Sequence, residues 1–319
     1  MYKVAWLAFT CSLIASAQTK APTGTLAQIL VTVGHYYGGA APPALTRDDL
    51  TVTQRYEPLP VSNLIPLRGD RAALELFVLV DHCSNCEPGP KFEELRRFIV
   101  SQPSTTAVGI AHIQDGRLEV VENPTQDHER AVKALATPEA SKPASPFNAL
   151  AELIRVWPQG SPRRAVLMVS NGIDPAAADQ VQDASADAAI EVAQRARVTV
   201  YAIYHPSADY LTSDFSKIHA GQVKLAHVAD ETGGEAYFLS SLPLPSLAPF
   251  LADIADHLAN QYLVEFLAEP GEGTGALLPV TVKSKIPDVE LMVPARVWVP
   301  EHRSGSSGVK RHESREERP

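Results

Sequence analysis

Between Ala72 and about Asn260 the chain alternates short apolar runs with amphipathic ones, and this restricts the fold more than any other feature. The runs "LELFVLV", "TAVGIAHI", "AVLMVS", "VTVYAIY" and "EAYFL" have strand length and are apolar almost throughout. A strand with one wet face alternates apolar and polar residues; a continuous run belongs to a strand covered on both faces. Segments of helical period lie between them. Phe92, Leu95 and Ile99 share one face of the first, and Ala184, Ala188 and Val192 share a face of the segment after Asp179. Leu247, Phe250, Leu251, Ile254 and Leu258 form a stripe of helical spacing. Gly233-Gly234 stops a helix directly before "EAYFL". Such alternation predicts an α/β domain built on a mainly parallel sheet with helices on both faces.

The flanks read differently. Upstream, "LAQILVTV" is a strand, "HYYGGAAPP" is turn material and "LTRDDLTVTQ" is a second strand with period-2 alternation. Downstream, "YLVEFLA", "LLPVTVKS" and "VELMVPARVWV" are strands, with "EPGEGTG" as a connecting loop. Each flank is too small to bury a core alone. The expectation is one small β module assembled from residues 18–71 and 261–300, with the α/β domain of residues 72–260 inserted between them. Residues 301–319 are charged and Ser/Gly-rich and are read as a disordered tail.

Residues 1–17 read as an export signal. Lys3 gives a positive start, Val4 to Ala15 an apolar stretch, and Ala15-Ser16-Ala17 a small-x-small cleavage site before Gln18. The expected location is secreted, periplasmic or cell-envelope. Cys83 and Cys86 then remain in an oxidising compartment, which makes them a disulfide candidate. The formal charge of −9 argues against a nucleic-acid partner. No apolar run in the mature chain is long enough to span a membrane.

"LFVLVDHCSNCEPGPKFEELRRFIV" concentrates the chemistry: Asp81 closes an apolar run, Cys83 and Cys86 follow, and a helix begins near Lys91. As a redox site, Cys-x-x-Cys at a helix start lowers a thiol pKa. A thioredoxin-type site also needs a cis-proline before a strand. Pro124 stands at about that distance, but "TQDHERAVKAL" after it reads as a helix capped by Thr125, with Asp127 in the first turn. As a zinc site, His82, Cys83 and Cys86 supply three ligands, with His128 or His112 to approach, but a second spaced motif is missing. No phosphate loop, Gly-x-Ser-x-Gly elbow or His-Glu-x-x-His occurs. "GEGTG" reads as a hairpin loop, and Asp127-His128-Glu129 as first-turn charges favoured by the helix dipole.

A third reading uses the rest of the chain. "LFVLVDHCSN", "LRRFIVSQPSTTAVGIAHI", "TQDHERAVKAL", "SPFNALAELIRVWP", "RRAVLMVSNGID", "LAHVADETGGEAYF" and "LADIADHLANQYLVEF" occur in that order. Together they resemble the von Willebrand factor type A family, most closely its secreted bacterial VWFA-related branch. The resemblance covers about Leu74 to Asn260, and the flanking β segments, "LTRDDLTV" included, also look like those of this branch. It implies a doubly wound sheet, a non-enzymatic role in protein–protein interaction or adhesion, and a ligand site at the carboxyl ends of the strands. In the family a divalent cation such as Mg²⁺ is held there by an Asp-x-Ser-x-Ser loop, a Thr and a second Asp. Carried over, the first Asp is Asp81, the two Ser positions are Cys83 and Asn85, the Thr is Ser145 and the second Asp is Asn171. Asp174 lies three residues beyond Asn171. The resemblance therefore implies a degenerate site with one of two carboxylates kept, at which Mg²⁺ or another divalent cation is implied but no cofactor is required. The expected partner is a protein that no motif names; the alternative is a thiol-disulfide or metal-binding protein using Cys83 and Cys86.

Overall fold

The computed structural model describes residues 24–36, 42–81, 90–114, 117–135, 144–158, 163–206, 214–238, 246–269 and 275–301. Ala17, Gln18, Cys83, Asn85, Cys86 and the tail after residue 301 lie outside them. The chain begins with β1 (Thr25–Tyr36), β2 (Leu50–Gln54), β3 (Glu57–Leu59) and β4 (Val61–Pro66). It continues with β5 (Leu74–Asp81), α1 (Pro90–Val100), β6 (Thr106–Gln114), β7 (Arg117–Thr125), α2 (His128–Ala134), α3 (Pro146–Val156) and β8 (Arg164–Ser170). Then come α4 (Ala184–Ala196), β9 (Val198–Tyr204), α5 (Phe215–Glu231), β10 (Ala236–Tyr237) and α6 (Ala248–Ala259). It ends with β11 (Gln261–Ala268), β12 (Ala276–Pro279), β13 (Thr281–Ser284), β14 (Val289–Met292) and β15 (Arg296–Val299).

The central sheet has six strands in the order β10-β9-β8-β5-β6-β7, parallel except for β7, which runs antiparallel to β6. The chain thus winds outward in both directions from the β5–β8 pair. Leu74, Leu76, Val78 and Val80 of β5 face α1, α2 and α6, while Phe77 and Leu79 face α3, α4 and α5. Both faces are buried, which is why the run reads as continuously apolar; each such side chain contributes about 1.5–3 kcal/mol.

Some expected details change. In α4 the buried residues include Ala186, Ala189, Ile190 and Ala193, whereas Ala184 and Ala188 are exposed, so the expected stripe lay on the wrong face. The cap of α2 is Asp127, whose Oδ1 accepts from Arg130 N at 3.1 Å. Thr125 is instead the last residue of β7, and its Oγ1 accepts from Asp127 N. In "LTRDDLTVTQ" the first part is a 3-10 turn over Arg47–Asp49, and only Leu50–Gln54 is strand.

The flanking strands pair with one another. β1 runs antiparallel to β11 from Thr25↔Ala268 to Thr32↔Gln261, inside a sheet ordered β14-β1-β11-β4. Two smaller sheets, β12-β15 and β13-β2-β3, contribute to the same core. Their shared core includes Ile29, Val31, Val52, Val264, Phe266, Val282 and Val299. Arg163 links this core to the α/β part. Its Nε donates to Gln261 Oε1 at 2.8 Å, Nη1 to Ala72 O at 3.2 Å, and Nη2 to Leu258 O. Burial lowers the Arg163 pKa to about 10, so the guanidinium stays charged at neutral pH.

Candidate functional site

β5 and β8 run in register, with Val80 beside Val169, so Asp81 and Ser170 emerge as neighbours at their carboxyl ends. Strand alternation turns both toward the α3, α4 and α5 side. Ser170 Oγ donates to Asp81 Oδ2 at 2.7 Å and accepts from Gly172 N at 3.0 Å. Burial pushes the Asp81 carboxyl up to about 6, and the Ser170 hydroxyl pulls the other way. Sequence reading found Asp81 but not Ser170; aligning the ends of "LFVLVD" and "AVLMVS" would have found it. Ser170→Ala should cost about 1–2 kcal/mol, because it leaves the buried Gly172 N–H without its acceptor. It should also move the Asp81 midpoint above about 6, read from its carboxyl carbon resonance. An unchanged midpoint would remove Ser170 from the site.

Asn171 is turned back on its own loop: Oδ1 accepts from Ile173 N at 2.8 Å, an Asx turn. The following Gly172 has φ +68° and lies against the backbone of Gly221 in α5.

Ser145 caps α3. Its Oγ accepts from Asn148 N at 3.3 Å and donates to Ser185 Oγ at 3.2 Å. Ser185 Oγ lies 2.8 Å from Asp174 Oδ2 and 2.6 Å from Asp183 Oδ1, and its single proton serves one of them at a time. Asp174 Oδ1 also accepts from Ala176 N at 2.8 Å. Asp183 caps α4 and meets Lys224 Nζ at 3.2 Å, while Nζ donates to Ala177 O at 2.8 Å. Burial raises the Asp183 carboxyl, but the Ser185 hydroxyl and amide and the Lys224 ammonium outweigh it and hold it below the ordinary carboxylate range. Sequence reading named Ser145 and Asp174 but not Ser185, Asp183 or Lys224. At the end of β9, burial and the charge of Lys91 hold His205 at about 4, so it is neutral near pH 7.

These oxygens suit a hard divalent cation poorly. Such an ion needs several oxygens, some of them charged, aimed at one point. Asp81 accepts from Ser170, Asn171 Oδ1 faces Ile173 N, and Ser145 faces Ser185. Asn85 and the disulfide candidates Cys83 and Cys86 lie outside the described residues, as does His82. Of the proposed zinc partners, His128 Nε2 is 2.8 Å from Thr106 O, and buried His112 shares a strand face with Val108 and Ile110, opposite Asp81.

No family model matches the chain, and no curated protein matches it. Among solved structures it is similar to the von Willebrand factor domain of the type V pili tip protein Mfa5 from Porphyromonas gingivalis. Identity is 10%, the TM-score 0.42, and the match covers 57% of this chain and 94% of that one. It is similar to the human COPII-coat protein Sec24c at 10% identity and TM-score 0.41, over 83% of this chain and 48% of that one. A third likeness is to proximal thread matrix protein 1 of the mussel byssus, at 12% identity and TM-score 0.38, over 60% and 47%. The mainly parallel sheet with helices on both faces is the doubly wound arrangement that the sequence resemblance implies. The fold is a doubly wound α/β sheet with helices on both faces and an antiparallel module beside it. No helix among the described residues is long and apolar enough to cross a membrane.

Proposed function

We propose that this chain is an exported, non-enzymatic protein-interaction or adhesion module. It binds a protein partner at the carboxyl ends of its parallel strands, through the exposed loop rim that buried and half-buried polar groups hold in place rather than through Mg²⁺. One observation carries the reading. The loop side chains interlock, Asp81 with Ser170 and Ser145 through Ser185 with Asp174 and Asp183, so they are oriented without an ion between them. Such preorganisation lowers the ordering cost of binding. Ser170, whose hydroxyl pairs with Asp81, is only 1% exposed, so it is out of reach as a nucleophile.

The test uses the mature chain as bait against envelope and extracellular proteins, and measures the recovered partner in Mg²⁺ and in EDTA. Affinity should be the same in both, and Asn148→Arg or Ala176→Arg, at exposed positions on the loop rim, should weaken it about tenfold or more. Loss of binding in EDTA would overturn the ion-free contact. Turnover in an insulin-reduction assay would overturn the non-enzymatic role in favour of Cys83 and Cys86.

A further inference from the structure

Away from the carboxyl-end loops, three ligand-bearing side chains converge where α6 passes the short edge strand β10. Glu235 precedes β10, and Asp253 and His257 stand one turn apart on α6, on the same face of the helix. Their ligand atoms all lie within 4.8 Å of one another. His257 Nδ1 is 3.9 Å from Glu235 Oε2, and Nε2 is 3.8 Å from Asp253 Oδ1. Tyr237 Oη adds a further oxygen, donating to Asp253 Oδ2 at 2.8 Å and lying 3.5 Å from His257 Nδ1.

We propose that this cluster binds a divalent transition ion, Zn²⁺, through His257 Nδ1, Glu235 and Asp253, with Tyr237 beside them. The imidazole is already set for the role. Its Nε2 is 3.2 Å from Gly34 O. A carbonyl oxygen only accepts, so Nε2 carries the proton, and in the neutral ring Nδ1 is the acceptor that faces Glu235 and Tyr237. Donation of the second ring N–H to a backbone carbonyl is how metal-ligating histidines are fixed. His257 is 1% exposed, and its ring stacks on Tyr201, with centroids 6.1 Å apart and planes at 21°.

The carboxylates supply the entry path: the side chains of Glu235 and Asp253 are 32% and 38% exposed. Bonds of about 2.0–2.2 Å to nitrogen and oxygen draw zinc ligands to roughly 3.3–3.5 Å of each other, and these two flexible side chains can make that approach. Two carboxylates offset the charge of one ion, and the imidazole selects the zinc class over Mg²⁺. An ion here would join α6 to β10 and, through the His257–Gly34 bond, to β1. That is a staple between the parallel sheet and the flanking antiparallel sheet.

The experiment titrates the mature chain with ZnCl₂ against a chromogenic chelator and follows the melting temperature. The wild type should hold one Zn²⁺ per chain and melt higher with it. Glu235→Gln and Asp253→Asn, both at partly exposed positions, should bind at least tenfold more weakly and lose the zinc-dependent shift. Asp81→Asn and Cys83→Ser/Cys86→Ser should bind like the wild type. The site is refuted if the wild type holds no zinc, if both carboxylate variants bind undiminished, or if the cysteine variant abolishes binding. None of these results bears on recognition at the carboxyl-end loops.

Discussion

Gly172→Val is expected to destabilise the protein by about 3–5 kcal/mol, as large as deletions of core side chains. Two causes act together. The residue has φ +68°, which a β-branched side chain adopts only under strain. A Cβ in its place would also lie 2.3 Å from Gly221 O and 2.7 Å from Leu225 Cγ. The first neighbour is helix backbone, so relief requires α5 to move. Gly221→Ala probes the same contact from the other side, because its Cβ would lie 2.4 Å from Asn171 O. The double variant should cost less than the two single ones added, since one displacement of α5 relieves both. Gly69→Ala is the control. Its φ of +58° is also positive, but nothing lies within 4 Å of the new Cβ, so about 1 kcal/mol is expected. Urea melts of the four variants decide the matter. If Gly172→Val melts like Gly69→Ala, the approach of α5 does not fix the loop. The loop carries Asn171, and Gly172 N–H is the donor that holds Ser170 against Asp81.

The parts of the fold legible in the sequence are those with strong side-chain contrast. The buried strands read clearly because both faces are covered. β7 did not, because it is an edge strand whose burial alternates along "RLEVVENPT". The face of α4 was misread because alanines surround the helix; Ile190 and the alanines spaced with it set the buried side. Thr125 and Asp127 are both good caps, and the choice between them depended on where β7 ends. At the site, Asp81 is legible because it closes an apolar run, whereas Ser145 and Asn171 are pointed to by the family resemblance alone. Their partners do not announce themselves. Ser170 is 89 residues from Asp81, Ser185 40 from Ser145, and Lys224 41 from Asp183. These pairings exist only once the sheet order is known. Glu235 and His257 likewise meet only because α6 packs back over β10.

Lys224→Met should cost about 3–5 kcal/mol, because it keeps the length and apolar stem of the side chain while stranding a buried carboxylate. Lys224 is 1% exposed, and its Nζ holds both Asp183 Oδ2 and Ala177 O. Restoring neutrality with Asp183→Asn in the same chain should recover part of the loss. pH gives the sharper test. The folded-state pKa of Asp183 is depressed, so its contribution is present above the unfolded value of about 3.9 and is lost as pH falls through the folded one. In Lys224→Met the ammonium is gone, and burial is opposed by the Ser185 donors alone, so the carboxyl takes up its proton at higher pH than in the wild type. The stability difference between the two chains should therefore narrow as pH falls from 7 through the carboxylate range. A difference constant over that range would assign the loss to the packing of the lysine stem instead of to the ion pair. If it narrows, Lys224 is what keeps Asp183 ionised, and Asp183 in turn holds Ser185, the residue through which Ser145 and Asp174 are joined. A cation fixed in the chain would then do, from within α5, part of the orienting that a bound metal does in the family this sequence resembles.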